Sequence, residues 1–474
     1  MFSKVGLVGA GPMGCALAQN LCEHGIEVKA WDHSPEVRSR SAEIIGPEAL
    51  ASSLDDMVAA LNPPRCVLLF LPSGSPVDET IDLLRECLGV DDIITDCGNS
   101  HYRDTERRQQ SLQGSGINLM GVGISGGPAG GRTGPAIMAG GDRASWQRIK
   151  PVFRAVAAIS GEMPCCGYFG EAGAGHFVKM VHNGIEYGVM HLLAELHGYL
   201  ERGRGMDAAA IASAFTLLNR GLAAGYLTEI TSQVAGSRTH PGDRPLVDIV
   251  DDAAEQKGTG GWTVQAALDF GAAVPTIAEA VMARSLSSNS ALRQALRQDS
   301  VGSGRPKADS SGRELDEDET AQMGSALALA VASTFAQGLA LFSAVGDTFG
   351  NRLDRTAILR TWRQGCILRG EMVTRLIEAT DNEAKCINVL SAEPFPKVVR
   401  TGLPALRAMT SEAIAAGIPM AGFASALAYV ELLDGGGWPG RVIQLQRDYF
   451  GSHGLRHKET GAVFHGPWHD DNSL

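Results

Sequence analysis

The chain has 474 residues, of which 53 are acidic and 41 are basic, and its formal net charge at pH 7 is −12. This length predicts two or three folding units, and the acidic balance argues against a nucleic-acid-binding protein or a protein that binds anionic membranes. The nine cysteines are odd in number and include no C-x-x-C pair, so the sequence predicts neither a disulfide framework nor a structural zinc site.

The N-terminal third alternates short apolar, β-branched segments with helical patterns. Such alternation predicts βαβ units around a parallel sheet, and we assign residues 1–175 to an α/β, Rossmann-type dinucleotide-binding domain. The first strand pattern begins without the basic and apolar regions of a secretory signal, so we expect a cytoplasmic protein. The predicted strands cover residues 5–8, 27–31, 66–71, 93–96 and 117–123.

A glycine-rich turn with the spacing G-x-G-x-x-G lies between the first predicted strand and a helical pattern. Its glycines allow a tight turn and a close approach of the backbone to a pyrophosphate, whose charge is favoured at the helix N-terminus. We therefore predict NAD or NADP as the cofactor. The turn is Gly9-Ala10-Gly11-Pro12-Met13-Gly14.

Asp32 ends the second predicted strand and bears on the choice between the two cofactors. A carboxylate at this place accepts hydrogen bonds from the ribose hydroxyls and repels the extra phosphate of NADP, which favours NAD. His33, Ser34, Arg38 and Arg40 lie just beyond and could accommodate that phosphate. A third interpretation makes Asp32 only a turn residue at the strand end.

Five polar residues near position 180 are spaced i, i+3, i+4, i+7 and i+8, which places them on one face of a helix. Apolar residues occupy most of the other positions, so the strip faces something other than solvent or core, although a Lys and a Glu seven residues apart can also decorate a solvated face. The positive helix end is expected to lower the pKa of Lys179, which favours a base, and a desolvated Glu186 can serve as an acid. The strip is Lys179, His182, Asn183, Glu186 and Tyr187.

The remainder of the chain is rich in Ala- and Leu-containing helical patterns, and we assign residues 176–434 to an all-α domain. Residues 323–342 are apolar enough to suggest a membrane span, but their Ala-rich composition and polar interruptions favour a buried core helix and no membrane. The run Gly435-Gly436-Gly437-Trp438-Pro439 breaks the helical pattern. Residues 435–474 then form a tail with too little apolar sequence to fold alone, which we expect to dock on another surface.

A weak internal repeat relates residues 181–185 to residues 335–339, with Asp207 and Asp354 placed after the two copies. Chance similarity is the alternative explanation. If the repeat is genuine, the second copy has Ser333 in place of Lys179 and Ala340 in place of Glu186, so only the first copy could be catalytic.

The polar strip closely resembles the catalytic helix of 6-phosphogluconate dehydrogenases, and six further motifs agree with that family in the same order along almost the whole chain. The resemblance implies oxidation and decarboxylation of 6-phosphogluconate to ribulose 5-phosphate, with reduction of NAD or NADP. It also implies a homodimer in which the tail of each chain reaches the partner's active site. Residues 289–319 and the last fifteen residues match the family poorly. The motifs are Asp96-Cys97-Gly98-Asn99-Ser100, Gly123-Ile124-Ser125-Gly126-Gly127, Glu255-Gln256-Lys257-Gly258-Thr259-Gly260, Ala283-Arg284-Ser285-Leu286-Ser287-Ser288, Trp362-Arg363-Gln364-Gly365-Cys366-Ile367 and Gln446-Arg447-Asp448-Tyr449-Phe450-Gly451.

The same resemblance implies a role for each matched residue, with Lys179 as the base and Glu186 as the acid. Cationic side chains are the expected partners of the substrate phosphate. The implied carboxylate and hydroxyl ligands are Ser125, Gly126, Gly127, Asn99, His182 and Asn183. The implied phosphate ligands are Tyr187, Lys257 and Arg284, with Arg447 and His453 from the partner subunit's tail. The cofactor would contact the glycine-rich turn, Asp32, His33, Ser34, Leu71, Pro72, Ser73 and Asn99.

Four departures from the family pattern bear on the cofactor and the substrate. Leu71-Pro72-Ser73-Gly74 replaces a segment that usually carries a lysine near the cofactor, and Asp32-His33 replaces the usual Asn-Arg, which puts the family's NADP preference in doubt. Residues 128–131 replace a more acidic loop, and Gly261 stands where a lysine is common.

Two other functions are compatible with parts of this pattern. A β-hydroxyacid dehydrogenase acting on another short or phosphorylated 3-hydroxy acid shares the glycine-rich turn and the lysine, but Lys257, Arg284 and Arg447 argue against it. A catalytically idle dinucleotide-binding scaffold would not require both Lys179 and Glu186. We predict no metal, because the family needs none and the tail histidines have no compact ligand spacing; these are His453, His457, His465 and His469.

Overall fold

The computed structural model describes residues 2–256, 258–298, 313–381, 386–435 and 439–469. The chain divides into two compact units, Met1–Ala426 and Leu427–Leu474. The finer division of the first unit at residue 175, and the start of the tail at residue 435, stay predictions.

A seven-stranded sheet forms the N-terminal part of the first unit. Its strand order is β2-β1-β3-β4-β5-β6-β9; the first five strands of this order pair in parallel, which confirms the predicted parallel sheet. The structure extends that sheet by β6, which is antiparallel to β5, and by β9, which is parallel to β6. The strands are β1 Lys4–Val8, β2 Glu27–Trp31, β3 Cys66–Leu69, β4 Ile93–Asp96, β5 Asn118–Ser125, β6 Ala136–Gly141 and β9 Cys166–Tyr168, with a separate hairpin of β7 Ile159–Ser160 and β8 Met163–Pro164.

The sheet is buried on both faces, as expected for parallel strands covered by crossover helices. Strand β3 shows this best, because Cys66 and Leu68 belong to one apolar cluster while Val67 and Leu69 belong to another. Such a strand has an uninterrupted apolar sequence rather than an alternating one.

Helices cover the sheet and make up most of the described chain after β9, which confirms a Rossmann-type fold followed by a helical region. The helices associated with the sheet are α1 Pro12–Glu23, α2 Pro35–Ile45, α3 Leu54–Ala59, α4 Ser75–Cys87, α5 Tyr102–Ser111, α6 Gly127–Thr133 and α7 Arg143–Val156. The later helices are α8 Ala174–Arg204, α9 Ala208–Leu218, α10 Tyr226–Ala235, α11 Thr259–Phe270, α12 Pro275–Ser288, α13 Ser290–Gln298, α14 Glu317–Ala344, α15 Arg355–Thr361, α16 Glu371–Thr380, α17 Phe395–Ala415, α18 Ala421–Leu433 and α19 Gly440–Gly451.

Helix α14 contains the apolar segment that suggested a membrane span. In the part of the chain that the structure describes, it is the one helix long and apolar enough for that role, and 89% of its apolar window is buried inside the protein. Its burial is that of a core helix.

In each copy of the weak repeat, the aspartate that follows it caps the next helix. Asp207 caps α9 by accepting a hydrogen bond from the Ala210 backbone N–H at 2.8 Å, and Asp354 caps α15 by accepting one from Ala357 at 3.0 Å. A Cβ added to Gly338 in α14 would lie 2.5 Å from Ile185 Cδ1 in α8. The glycine of the second copy therefore allows α14 to pack directly against the first copy.

The second unit, Leu427–Leu474, contains the end of α18, helix α19 and a short hairpin of β10 Leu455–Arg456 and β11 Val463–Phe464. Its centre is the carboxylate of Asp448, which is fully buried. This carboxylate accepts hydrogen bonds from the backbone N–H groups of Gly454 and Gly466 and from the Trp468 indole, and it lies 2.8 Å from His465 Nδ1. A polar hub therefore organises a unit that is too small for a large apolar core.

Candidate active site

Helix α8 begins directly against the sheet, because glycines remove the side chains that would separate them. A Cβ on Gly123 in β5 would lie 2.2 Å from Lys179 Cβ, and one on Gly175 would lie 2.4 Å from the Gly121 carbonyl oxygen. A Cβ on Gly140 in β6 would lie 2.3 Å from the Gly175 nitrogen. These close approaches set the depth at which the Lys179 side chain lies beside the end of β5.

The polar strip of α8 forms a connected group with the end of β5. Lys179 Nζ donates a hydrogen bond to Asn183 Oδ1 at 2.7 Å and lies 3.5 Å from His182 Nδ1. His182 Nε2 lies 3.3 Å from Ser125 Oγ, and His182 Nδ1 lies 3.7 Å from Glu186 Oε2. The structure thus brings together five of the predicted site residues on one side of the helix.

Burial favours the neutral form of each titratable group in this strip. It lowers the pKa of Lys179, against the opposing effect of Glu186, and it raises the pKa of Glu186, against the opposing effects of Lys179 and Arg284. It also lowers the pKa of His182 well below its ordinary value, with help from the Lys179 charge. Desolvation is the largest cause of the lowered pKa of Lys179, whereas the sequence pointed to the positive helix end.

Tyr187, the last residue of the strip on α8, contacts Arg284 of α12. The Arg284 guanidinium lies over the Tyr187 ring, 3.6 Å from its centroid, a favourable cation–π contact. Tyr187 is buried and packs with Ala280 and Val281 of α12. Lys257, the third predicted phosphate ligand of the first unit, lies outside the described residues.

The end of β5 turns sharply into α6. Gly126 has a φ of 119°, and a Cβ there would lie 2.7 Å from the Gly365 carbonyl oxygen, so a larger residue would displace the turn. Ser125 is buried while Gly127 is exposed. The hydroxyl of Ser125 therefore faces His182, and the backbone of Gly127 is left accessible at the start of α6.

The glycine-rich turn between β1 and α1 has the geometry that a pyrophosphate requires. A Cβ on Gly14 would lie 2.1 Å from the Gly9 carbonyl oxygen, which explains the third glycine of the motif. Gly11 precedes α1, and apart from its two chain neighbours no atom of the described residues lies within 4 Å of its hypothetical Cβ. The space in front of this helix N-terminus is open, so the residues fit a dinucleotide.

Asp32 is buried and holds the turn in place. One carboxylate oxygen accepts a hydrogen bond from the Ala10 backbone N–H at 2.9 Å, and the other accepts one from Ser34 at 3.0 Å. His33 Nδ1 lies 3.4 Å from the same carboxylate, and the Arg38 side chain donates to the Asp32 carbonyl oxygen. Asp32 therefore has a structural role, while each oxygen keeps a second lone pair for a ribose hydroxyl.

The loops after β3 and β4 lie at the same edge of the sheet as the glycine-rich turn, where ligands of open α/β sheets bind. Pro72, Ser73 and Asn99 are exposed there. A Cβ on Gly98 would lie 2.8 Å from the Leu71 carbonyl oxygen. The two loops therefore touch, and Asn99 follows immediately.

Arg447 and His453 belong to the second unit, on helix α19 and directly after it. Both are exposed; Arg447 donates to Gln444 Oε1 at 3.2 Å, and the His453 ring lies 6.3 Å from that of Phe450. The geometry of a single chain does not test their predicted role in the partner's site.

Three buried residues that support the site were not predicted from the sequence. Arg108 and His176 hold the loop that carries Asn99, and the Trp362 ring lies edge-on to His182 at a centroid distance of 5.2 Å. Trp362 could have been found from the sequence, because it begins one of the six motifs shared with the family. Arg108 follows another arginine on a polar helix, so its sequence gave no sign of burial.

The described residues contain no group of three or more His, Cys, Asp or Glu side chains that could hold a metal ion. In the tail, His465 contacts Asp448, and His457 Nδ1 accepts backbone hydrogen bonds from Glu459 and Thr460. These two histidines have partners within the tail.

Comparison with known proteins gives matches that cover nearly the whole chain. The NAD binding domain of 6-phosphogluconate dehydrogenase matches residues 4–170, and the C-terminal domain of 6-phosphogluconate dehydrogenase matches residues 175–468. The NAD(+)-dependent, decarboxylating 6-phosphogluconate dehydrogenase of Bacillus subtilis strain 168 is 36% identical over 471 residues, which cover 99% of this chain and 100% of the relative. The NADP(+)-dependent enzyme of the same organism is 36% identical over 477 residues, covering 98% and 99% of the two chains.

A solved structure resembles the whole chain equally well. It is the 6-phosphogluconate dehydrogenase of Plasmodium falciparum, described in its apo form, with its cofactor NADP+ and with its substrate 6-phosphogluconate. Its TM-score is 0.90 at 30% identity, and the match covers 98% of this chain and 100% of the other.

Proposed function

The chain belongs to the 6-phosphogluconate dehydrogenase family, and from this premise we propose how its residues divide the work of the family's reaction. The reaction is the oxidative decarboxylation of 6-phospho-D-gluconate to D-ribulose 5-phosphate and CO2, with reduction of NAD(P)+. The observation that supports the residue assignment is the buried group of Lys179, His182, Asn183 and Ser125, beside a carboxyl group, Glu186, whose pKa burial raises.

Lys179 is the base of the oxidation step. When bound, the nicotinamide supplies the hydride acceptor. As the hydride leaves C3 of the substrate, the neutral amine of Lys179 takes the proton of the C3 hydroxyl, and its lowered pKa makes the neutral form available. Asn183, which accepts a hydrogen bond from Nζ at 2.7 Å, aims the amine.

Decarboxylation follows because the new ketone is β to the carboxylate. Loss of CO2 leaves an enediol, whose oxygen the now protonated Lys179 stabilises. Glu186 then donates its proton to the carbon that carried the carboxylate, which is C2 of the substrate and C1 of the product, to give ribulose 5-phosphate. Burial keeps this carboxyl group protonated to a higher pH than usual, because it raises the pKa of Glu186.

The substrate is anchored at both ends. We assign the substrate's phosphate to Tyr187 and Arg284. We assign its carboxylate and hydroxyls to the α8 strip and to Ser125, Gly126, Gly127 and Asn99. The Arg284 guanidinium stacks on the Tyr187 ring, which fixes its position for a bidentate phosphate contact. Lys257, Arg447 and His453 complete the proposed phosphate ligands.

We also propose a cytoplasmic homodimer in which each tail completes the partner's site. The described part of the second unit supports an intermolecular role, because several large apolar side chains of α19 and the hairpin are exposed, and such patches mark interaction sites. They include Val442, Ile443, Tyr449, Phe450 and Val463. The predicted limits 1–175, 176–434 and 435–474 describe the three parts of each subunit.

The test is a steady-state assay of 6-phosphogluconate oxidation with NAD+ and NADP+ in turn, beside unphosphorylated gluconate and short 3-hydroxy acids. We expect turnover with release of CO2 only for the phosphorylated substrate. Preference for an unphosphorylated acid would instead identify a β-hydroxyacid dehydrogenase of another specificity.

Lys179→Met tests the assignment of the base. Because methionine has similar volume but cannot accept a proton, the turnover number should fall by about 10³-fold or more, while the dissociation constant of the cofactor, measured by fluorescence titration, should not change. A variant that retains normal turnover would remove Lys179 from the mechanism.

A further inference from the structure

Arg108 is almost fully buried beside the proposed active site, with 2% of its surface exposed. Its Nε and Nη2 donate to the two carboxylate oxygens of Asp78 at 2.8 and 3.3 Å, and Nη2 also donates to the Gly74 carbonyl oxygen at 3.0 Å. Its Nη1 donates to Ser100 Oγ at 3.2 Å and to Asp96 Oδ2 at 3.4 Å. A guanidinium has five N–H donors, and these contacts use all of them.

These acceptors belong to two loops that border the site. Gly74 ends the segment Leu71-Pro72-Ser73-Gly74 after β3, and Asp78 lies in the first turn of α4 that follows it. Asp96 ends β4, and Ser100 follows Asn99 in the loop after this strand. Arg108 therefore joins the loop assigned to the cofactor to the loop that presents Asn99.

The same network continues to the helix that carries Lys179. His176 Nε2 lies 3.1 Å from the Asp96 carbonyl oxygen, and His176 Nδ1 lies 2.6 Å from Thr105 Oγ1. Burial lowers the pKa of His176, so the ring is neutral, with Nε2–H donating to Asp96 and Nδ1 accepting from the Thr105 hydroxyl. One helical turn separates His176 from Lys179.

We propose that Arg108 is a positioning residue for the reaction, which holds the loops after β3 and β4 in fixed register with α8 so that Asn99 meets the substrate at its reacting carbons. This inference rests on the proposed function, since it assigns Asn99 to the substrate. A guanidinium is required because its rigid planar fork reaches acceptors on several sides at once, whereas a lysine ammonium acts as one point charge.

Arg108→Lys is the primary test, and Arg107→Lys is its matched control. Arg107 also donates to Asp78, at 2.9 and 3.1 Å, but its side chain is 55% exposed, and exposed pairs contribute little. We expect Arg108→Lys to lower kcat/KM for 6-phosphogluconate at least about tenfold at temperatures well below its melting transition, because small misplacements of reacting groups are costly. Arg107→Lys should match the wild type.

A double-mutant cycle shows whether Arg108 acts through Asn99. Asn99→Ala should lower kcat/KM by a clearly smaller factor in the Arg108→Lys background than in the wild type, because residues that act through one another are not additive. Equal factors in the two backgrounds would overturn the proposal, as would an Arg108→Lys enzyme as active as Arg107→Lys.

If Arg108→Lys does not fold, Asp78→Asn carries the same test. It weakens the bidentate contact from α4, away from Asn99, so a loss of kcat/KM that is non-additive with Asn99→Ala supports the proposal, and an additive loss or none overturns it. A wild-type enzyme that does not oxidise 6-phosphogluconate would instead contradict the proposed function, and this outcome is read before any variant is compared.

Discussion

At the scale of single residues, the site depends on the burial of two groups of opposite charge type. Desolvation lowers the pKa of Lys179 and raises the pKa of Glu186, so the amine loses its proton and the carboxyl group keeps its proton closer to neutral pH than either does in water. Each remains within reach of the same imidazole, that of His182. The pair is therefore suited to accept a proton in one step and to donate one in the next.

This pair predicts a bell-shaped dependence of kcat/KM on pH. Activity requires a neutral Lys179 and a protonated Glu186, so it falls both at low and at high pH, with apparent pKa values that belong to the coupled pair. In Glu186→Gln the requirement for a protonated acid disappears, so the residual rate should rise with pH and then level off. A pH–rate profile of each enzyme measures this, and a persistent fall at high pH in the variant would assign that limb to another group.

Asp32→Asn should shift the cofactor preference towards NADP, because it removes the charge that repels the 2′-phosphate. Asp32 also accepts hydrogen bonds from Ala10 and Ser34, so the variant is expected to weaken the turn for both cofactors. The ratio of kcat/KM values for NADP+ and NAD+ separates the two effects. An unchanged ratio would mean that Asp32 acts only as a structural acceptor.

At the scale of secondary-structure elements, the depth of α8 against β5 and β6 is the decisive feature. Glycines at 121, 123, 140 and 175 leave no room for added side chains, so the helix that carries the reactive strip lies close against β5 and β6. Protein interiors are close-packed, and a single added methyl group at such a contact must move the backbone or strain it.

Gly123→Ala should therefore destabilise the protein by about 1–3 kcal/mol and lower kcat/KM at least about tenfold, because Lys179 is displaced from the substrate. Gly198→Ala, in the same helix, is the control. Apart from its chain neighbours and the nearby backbone of its own helix, no atom in the described ranges lies within 4 Å of its added Cβ, so it should be neutral or stabilising by up to about 1 kcal/mol. Denaturant unfolding and steady-state kinetics distinguish the two, and equal behaviour would show that the close approach is unimportant.

At the scale of the whole molecule, the C-terminal unit is an independently organised segment around Asp448. Burial alone would raise the pKa of Asp448, but its backbone and side-chain hydrogen-bond partners together lower it, so this buried carboxylate stays charged and keeps the chain after α19 in a defined conformation. Arg447 precedes this aspartate and His453 lies one residue before Gly454, one of its donors. A preorganised tail loses less conformational entropy on docking to another subunit.

Mixed dimers test whether the tail acts in the partner's site. Lys179→Met and Arg447→Ala chains should each be inactive at low substrate concentration as homodimers, but their heterodimer contains one site with an intact Lys179 and an intact Arg447 from the other chain. Co-expression should restore about a quarter of the wild-type activity, given random pairing of a symmetric dimer. Absence of restoration in a mixture shown to contain heterodimers would place Arg447 in the site of its own chain.

The sequence by itself determined the alternation of strands and helices in the N-terminal part, the glycine-rich turn and the helical strip from Lys179 to Tyr187, because each of these depends on local periodicity and spacing. It also indicated the family, since several motifs occur in one order. The addition of β6, antiparallel to β5, and of β9, parallel to β6, was not predicted, because tertiary packing decides which strands pair and local periodicity does not record it.

Only the tertiary structure decided why the strip is reactive and what holds it. Desolvation of Lys179 and Glu186 depends on the residues that pack around them. Asp32 has a second role, as an acceptor for the Ala10 backbone N–H, which depends on two loops that meet. Arg108 shows the limit most clearly: its helix has the sequence of an exposed, charged surface, yet long-range contacts with Gly74, Asp78, Asp96 and Ser100 bury it. The burial of a residue and its long-range contacts depend on all the elements that pack around it. The spacing of residues along the chain therefore does not reveal them.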